Sequence, residues 1–409
     1  MAKIALIQFI IKPMLGPMYI SSTLKNAGHQ CIMVLGNKQQ IIDRLNKEKV
    51  DIIGFSESVN GRRCVLDMAK AVKDKVNARI PIIVGGPLAT FSPEIIEDPA
   101  IDIICRGDGE HAALDLLEAI DERRDITGIS NLWVKLNGRI YKNEVRPLVE
   151  DLNTIEFPDR GLYKEYKFVE IDSTHRVITS RGCPYGCTNC FQHGYRELYR
   201  NKGSRFVRRR SVDNVIEELK LLKKECKVNQ IWFIDDIFPI NKDWLIYFLE
   251  RYDKQISLPF ICHTRIDLIN NEIARTLNKG GYCQYIAFGL ETGKESYSNQ
   301  ILKRNVTNAQ IENGVKILRK HRIKFFTSNM ICLPLETIED ALLTLRLNAK
   351  IRPDFSVCTI YQPLPMTKLT DFAVENKCFD RQNIVSLSFF SHGGSLLQQR
   401  QIKELVNLN

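Results

Sequence analysis

The segment Ser180-Arg-Gly-Cys183-Pro-Tyr-Gly-Cys187-Thr-Asn-Cys190-Phe-Gln-His193 holds three cysteines in a CxxxCxxC spacing. That spacing puts three thiolates on one tight loop, and thiolates are soft ligands suited to iron–sulfur clusters or to zinc. A four-iron cluster usually takes four protein thiolates, so three would leave one iron with an open coordination site. Zinc is the competing chemistry. A structural zinc site wants four protein ligands, and His193 could complete a Cys3His set with Cys183, Cys187 and Cys190. A second group of residues has binding rather than redox character: the turns Ser56-Glu-Ser58, Gly85-Gly-Pro87 and Gly107-Asp-Gly109. Any one of them is what a strand-to-helix turn needs in any case. Three converging on one sheet edge read as the rim of a ligand site. No GxGxxG follows the first strand, so the rim is not a dinucleotide fingerprint.

The elements that must position these residues form two strand–helix series. Over residues 3–121, apolar runs at Lys3–Ile11, Cys31–Leu35, Val50–Phe55, Ile80–Val84 and Ile101–Cys105 alternate with amphipathic stretches. The stretches lie over 16–28, 39–47, 62–76 and 111–120 and have apolar residues at helical spacing. The alternation predicts a doubly wound α/β domain with a parallel sheet, which binds ligands outside the carboxyl ends of its strands. Ser130–Lys142 predicts a hairpin turning at Asn137-Gly138. The polar stretch that follows, with Pro147 and Pro158, reads as a linker. A second series has strands at Arg176–Thr179, Gln230–Asp235, Phe260–Thr264, Tyr285–Gly289, Phe325–Ile331 and Asp354–Tyr361. The helix Val212–Glu225 among them is capped by Ser211. Six such units predict an open or partial barrel with its chemistry at the strands' carboxyl ends, where the cysteine loop falls. The expected organisation is 1–145, a linker over 146–169, a partial (βα)6 barrel over 170–372 and a short appendage over 373–409.

Composition narrows the classes. The 409 residues are 44% hydrophobic and 26% charged, which supports ordinary globular cores and excludes whole-chain disorder. No stretch reaches the roughly 18 uncharged apolar residues of a membrane helix. Met1-Ala-Lys-Ile-Ala-Leu-Ile runs into a strand pattern without the flanks of a signal peptide, so a cytoplasmic location is expected. Twelve cysteines in a reducing compartment then point to metal rather than disulfides. The net charge of +10 is spread thinly except at Arg205, Arg208, Arg209 and Arg210, and no nucleic-acid partner is expected.

With these residues in view, the chain resembles the radical S-adenosylmethionine enzymes across roughly residues 170–375. The CxxxCxxC loop is that family's signature. The resemblance implies that Cys183, Cys187 and Cys190 hold a 4Fe–4S cluster whose open iron is chelated by S-adenosylmethionine. It further implies that Asp235 and Asp236, ending the second strand, lie near the methionine amino group, and that Arg265 faces the methionine carboxylate. Glu291, in Gly289-Leu-Glu291-Thr-Gly293, would contact the same cofactor. Leu333-Pro334-Leu-Glu336-Thr337 resembles a GxPxET turn and Pro363-Leu-Pro365-Met-Thr367 a PxPGT turn. The chain departs from the family at Asn189, where an aromatic residue is common, and at Cys332, Leu335 and Met366, where glycines are usual.

Residues 1–160 resemble the cobalamin-binding domain that precedes the barrel in one large class of these enzymes. Gly16-Pro17, Ala27-Gly28-His29, Gly85-Gly86-Pro87-Leu-Ala-Thr90, Arg106-Gly107-Asp-Gly109-Glu110 and Pro158-Asp-Arg-Gly-Leu162 carry that likeness. It makes Ser56, Ser58, Gly85, Gly86, Pro87, Gly107, Gly109 and Glu110 the candidate cobalamin contacts. No DxHxxG stretch is present, Leu88 stands where many relatives have histidine, and His29 and His111 read as surface residues.

The resemblance implies a cobalamin-dependent radical enzyme. Its leading activity would be methyl transfer to an unactivated carbon of a small molecule or biosynthetic intermediate, using S-adenosylmethionine and methylcobalamin, with flavodoxin or ferredoxin as electron donor. Two alternatives stand beside it: a non-methylating rearrangement or cyclisation, and a zinc-binding module that docks a partner through the Arg205–Arg210 patch. The catalytic residues themselves are not assigned.

Overall fold

The computed structural model describes residues 1–166 and 173–380. The chain divides into two compact units, Met1–Asp172 with Tyr195–Arg205, and Ser173–Gly194 with Phe206–Asn409. Most of the expected appendage over 373–409, and the linker's last residues 167–169, lie outside the described residues. Among the described residues no helix is long and apolar enough to cross a membrane.

The first unit is built on β1 (Lys3–Gln8), β2 (Gln30–Leu35), β3 (Ile52–Ser56), β4 (Ile82–Gly85), β5 (Ile103–Cys105) and the hairpin β6 (Leu132–Leu136) and β7 (Arg139–Lys142). Strand order is β2-β1-β3-β4-β5-β6-β7. The first five strands run parallel, and the hairpin joins antiparallel to β5. The helices are α1 (Leu15–Asn26), α2 (Lys38–Lys47), α3 (Arg62–Lys75), α4 (Gly86–Phe91) and α5 (Glu110–Asp121). Strands such as β1, buried along almost its whole length, need apolar cover on both faces, and their unbroken Ile, Leu and Val runs meet that need. The order reverses at β1, so the crevice of this doubly wound sheet opens at the carboxyl ends of β1 and β3. The expected linker packs into this unit. Asp159 accepts from Ser21 Oγ and Lys25 Nζ, both at 2.6 Å, and the fully buried Tyr163 donates to Gln8 Oε1 at 2.6 Å.

The second unit begins with β8 (Thr174–Val177) and a short antiparallel ribbon of β9 (Ser180–Arg181) and β10 (Arg208–Arg209). It continues with β11 (Gln230–Phe233), β12 (Phe260–His263), β13 (Cys283–Glu291), β14 (Lys324–Ile331) and β15 (Phe355–Ile360). Six strands form one parallel sheet in the order β15-β14-β13-β12-β11-β8, a partial barrel rather than a closed one. One face is covered by helices. Val177, Ile231, Phe233, Phe260, Cys262 and Ile286 point into that core and pack against helices that include Val212–Glu225 and Lys242–Gln255. Ser211 caps the first of these by accepting from Asn214 N at 3.2 Å.

Two expectations are corrected. His29 is not a surface residue: it is 8% exposed, and its Nδ1 accepts from the backbone N–H of Ala2 at 3.2 Å. The arginine run is not a surface patch either. Arg208 and Arg210 are buried, the latter paired with buried Glu218, and Arg209 lies over the Trp244 ring at 4.5 Å. Arg209 also donates to the carbonyls of Ile237 and Phe238, which leaves Arg205 as the exposed member. Arg209 and Arg210 brace the barrel from within.

Candidate cofactor-binding sites

The cysteine loop leaves the carboxyl end of β8 through β9. Gly182, just before Cys183, sits at φ +91°, and a Cβ there would lie 2.3 Å from the Phe206 carbonyl oxygen. Only glycine can take that backbone so close to another chain segment. Cys183, Cys187 and Cys190 are half-buried, and their thiols share the loop without closing into a cage. Among the described residues no three His, Cys, Asp or Glu side chains form a group that could hold a single metal ion. Burial raises the Cys183 thiol and pushes the Cys190 thiol up to about 12, so ligation by either must displace a proton.

Around the loop the polar groups are mostly acceptors. Gln192 Nε2 donates to Asp236 Oδ2 at 2.8 Å, which fixes the amide's orientation and leaves Gln192 Oε1 buried without a partner. Asn189 Oδ1 is buried and unpartnered as well. A buried oxygen left this way costs about 1–3 kcal/mol unless a donor reaches it. The carboxyl of Asp236 faces solvent from a recess. The surrounding protein first, and the neighbouring Asp235 second, raise it above the ordinary aspartate range.

The other residues picked out on the second unit fall into two roles. Asp235 is 1% exposed, and its oxygens are taken up by Thr179 N at 3.1 Å, Thr179 Oγ1 at 2.7 Å and Ser180 Oγ. It ties β11 to the start of the cysteine loop. Arg265 lies over the Tyr185 ring at 3.8 Å and holds Asp267 through two nitrogens at 3.1 Å. It points Nη1 at Cys187 Sγ from 3.8 Å and donates to the Arg304 carbonyl at 2.7 Å. Arg304 in turn reaches Glu291 Oε1 at 3.3 Å and the Gly289 carbonyl. Burial raises the Glu291 carboxyl and the charge of Arg304 opposes that shift. The strand thus brings Arg265 to the loop and reaches Glu291 through Arg304. The sequence reading missed Arg304, Tyr185 and Gln192; of the three, Tyr185 and Gln192 at least lay inside the motif.

The turns that lack the expected glycines keep a glycine-like backbone. Cys332, Leu335 and Met366 stand at φ +61°, +62° and +58°. Left-handed backbone costs a side-chain-bearing residue about 1–2 kcal/mol, so the turn geometry is retained at an energetic penalty. In the same turn Glu336 is 1% exposed and accepts from Leu333 N at 3.1 Å through Oε2, with Oε1 unpartnered. Burial pushes its carboxyl up to about 7.

On the first unit the candidate rim residues are drawn together at the ends of the adjacent strands β3, β4 and β5. Glu57 N donates to the Gly85 carbonyl at 3.3 Å and Leu88 N to the Glu57 carbonyl at 2.9 Å. The Thr90 hydroxyl donates to the Gly86 carbonyl at 2.9 Å and accepts from Gly107 N at 3.0 Å. Ser56 Oγ lies 3.6 Å from where a Cβ on Gly16 would sit, so the third strand's turn meets the entry of α1 at the crevice. Ser58 and Pro87 are exposed, Gly85, Gly86, Gly107 and Gly109 half-exposed, and Glu110 is buried in the first turn of α5. Half-exposed backbone along this edge suits a large ligand fringed with amides. Leu88 is fully buried in the core, so the position just after Gly85-Gly86-Pro87 faces inward. Two tyrosines invisible to the sequence reading cover the third turn. Tyr195 donates to Asp108 Oδ1 at 2.6 Å, Asp108 N donates to the Tyr199 hydroxyl at 2.8 Å, and the rings lie 5.1 Å apart. Their four-residue spacing put both on one helix face, but nothing local tied that face to residues 107–109.

The Radical SAM superfamily model matches residues 177–347, and the B12 binding domain model matches residues 11–117. A curated relative, the uncharacterized methyltransferase PH0819 of Pyrococcus horikoshii, is 29% identical over 89% of this chain and 79% of its own length. The anaerobic magnesium-protoporphyrin IX monomethyl ester cyclase of Rubrivivax gelatinosus is 24% identical over 86% of this chain and 64% of its own. The fold is shared with the radical S-adenosylmethionine methyltransferase TsrM of Kitasatospora setae, solved with cobalamin and a [4Fe-4S] cluster. That match has a TM-score of 0.74 at 15% identity, over 92% of this chain and 78% of that one. The cobalamin-dependent radical enzyme OxsB matches with a TM-score of 0.70 at 19% identity, over 85% of this chain and 52% of that one. The chain thus carries a B12 binding domain followed by a radical SAM domain, and it shares its fold with cobalamin-dependent radical S-adenosylmethionine enzymes.

Proposed function

We propose that this enzyme transfers a methyl group to an unactivated carbon of a small molecule. When bound, a 4Fe–4S cluster supplies the electron that cleaves S-adenosylmethionine to a 5′-deoxyadenosyl radical, and cobalamin carries the methyl group. Cys183, Cys187 and Cys190 would hold the cluster. The observation that carries the reading is the acceptor-rich lining of that loop. Asn189 Oδ1, Gln192 Oε1 and the Asp236 carboxylate offer oxygens to a cationic amino group, as the methionine end of the cofactor has. Asp235 would act as a brace, leaving Asp236 as the carboxylate nearer the cofactor. Arg265 would hold the loop's pose through Tyr185 while remaining within reach of a carboxylate, and Glu291 would meet the cofactor from the β13 turn. On the first unit, Ser56, Ser58, Gly85, Gly86, Pro87, Gly107, Gly109 and Glu110 would line the cobalamin edge. A reductant such as flavodoxin or ferredoxin would supply the electron.

The methyltransferase relative supports this reading, and the 24% identity to a cyclase over most of this chain favours a second, non-methylating rearrangement or cyclisation in the same architecture. Anaerobic reconstitution with iron, sulfide and cobalamin, followed by product analysis, tests both. Methylation releases S-adenosylhomocysteine and 5′-deoxyadenosine in equal amounts, whereas rearrangement releases no S-adenosylhomocysteine. Alanine at Cys183, Cys187 or Cys190 should abolish iron loading. Zinc in place of iron and sulfide in the wild-type protein would overturn the reading.

A further inference from the structure

The second unit's sheet has two unlike faces. Phe260 and Cys262 of β12 point into the helix-covered core, so Ile261 and His263 point the other way, as does Trp232 of β11. Trp232 Nε1 lies 3.1 Å from His263 Nε2, and the two rings meet edge-on with centroids 5.7 Å apart. An indole N–H can only donate, so His263 Nε2 must accept, and an imidazole accepting there carries its proton on Nδ1. An imidazolium could not accept this bond at all. Burial lowers the His263 pKa, in the same sense as the geometry.

Nδ1–H finds no acceptor among the described residues, and it is not one of the sealed polar atoms that lack a partner. Strand register places His263 in a row with Ala287, Phe326 and Phe355 across β12 to β15, on the face away from the core. Phe355 is 61% exposed and Phe326 half-buried. The row is therefore apolar apart from one hydrogen-bond donor at the carboxyl end of β12.

We infer that His263, held by Trp232 as the neutral Nδ1–H tautomer, is a specificity-determining residue that donates a hydrogen bond to an oxygen acceptor on an otherwise apolar substrate. The substrate class is a carbonyl- or hydroxyl-bearing carbon skeleton with a flat apolar body, suited to the Phe326 and Phe355 rings. The assignment rests on the proposed function in one respect: the acceptor belongs to the molecule whose carbon reacts. Trp232 is a positioning residue, because it acts through His263.

The test uses the full-length chain labelled with 15N-histidine, with His263 assigned from the signal lost in His263→Gln. Near neutral pH the Nδ1–H form should exceed the Nε2–H form by about fivefold or more, the bias one hydrogen bond supplies. Trp232→Phe, which keeps an aromatic ring and removes the donor, should abolish that bias. Should either variant fail to fold, the Trp232 indole N–H resonance of the wild-type chain reports the same bond without substitution. Acetophenone, an aromatic ring with one carbonyl, serves as the ligand probe at millimolar concentration and should shift the Nδ1–H signal. Ethylbenzene, the same body without the acceptor, should not. An Nε2–H or imidazolium ground state, an unchanged tautomer in Trp232→Phe, or an Nδ1–H signal that acetophenone moves no more than ethylbenzene does would each overturn the inference. Iron, sulfide and nucleoside products are separate measurements. Their failure removes the proposed function and leaves the tautomer and probe results standing.

Discussion

Gly182→Ala probes how tightly the cysteine loop is held. A Cβ at this position would lie 2.3 Å from the Phe206 carbonyl oxygen and 3.1 Å from its carbon, where ordinary contact begins at 3.4 Å. The loop and the segment entering β10 would have to part by about 1 Å, an overpacking strain of about 1–3 kcal/mol. Alanine at φ +91° adds about 1–2 kcal/mol, and its stiffer unfolded chain returns about 0.4–1 kcal/mol. The balance is about 3 kcal/mol. Less than the stability of a typical domain, that leaves the unit folded, but falling on the loop it reduces the ligand-competent arrangement about 100-fold. Gly186→Ala is the matched control in the same loop, since nothing lies within 4 Å of its added Cβ. Anaerobic reconstitution at limiting iron, with iron and acid-labile sulfide counted per chain, should show Gly182→Ala largely unloaded and Gly186→Ala loaded like wild type. Equal loading of both variants would refute the claim that backbone geometry at residue 182 sets the loop.

Other substitutions test other parts of the argument. Leu335→Gly and Met366→Gly relieve left-handed backbone at side chains 39% and 42% exposed, so each should raise the melting temperature slightly, by up to about 1 kcal/mol of stability; a lowered melting point would count against the strain. Glu336 has a folded pKa of about 7 against 4.5, so the folded chain binds more protons than the unfolded chain between those values and stability falls as pH rises through them. Glu336→Gln should remove that slope, gaining on wild type by up to about 3 kcal/mol as pH rises from about 5 to about 8.5; parallel melting curves across that range would rule the titration out. Tyr199→Phe takes away the acceptor for Asp108 N–H and should speed exchange of that amide by about 5- to 10-fold; unchanged protection would mean the hydroxyl does not hold the turn.

Local chemistry made much of the fold legible. Val212–Glu225 lies where apolar periodicity and the Ser211 cap put it, because both signals act within one turn of helix. Strand ends were less readable. The apolar run Lys3–Ile11 pairs only as far as Gln8, and Ile10 and Ile11 are exposed, since pairing stops where the neighbouring strands stop and not where hydrophobicity does. The cysteine spacing singles out its loop from the sequence alone, whereas Arg304 reaches Glu291 from outside any motif and could not be found by spacing. His29, Arg209 and Arg210 were misjudged for a related reason: their type suggests solvent, but a backbone N–H, two carbonyls and a buried glutamate awaited them in turn.

The first unit is discontinuous along the chain, and this decides how the molecule can be taken apart. A fragment ending at residue 172 would possess every strand of the seven-stranded sheet yet lack Tyr195 and Tyr199, leaving the Asp108 amide and carboxylate without the hydroxyls that hold them. Domain dissection by simple truncation should therefore produce a sheet with a slackened third turn. Recombining that fragment with a peptide spanning 191–205 is the route to restoring it.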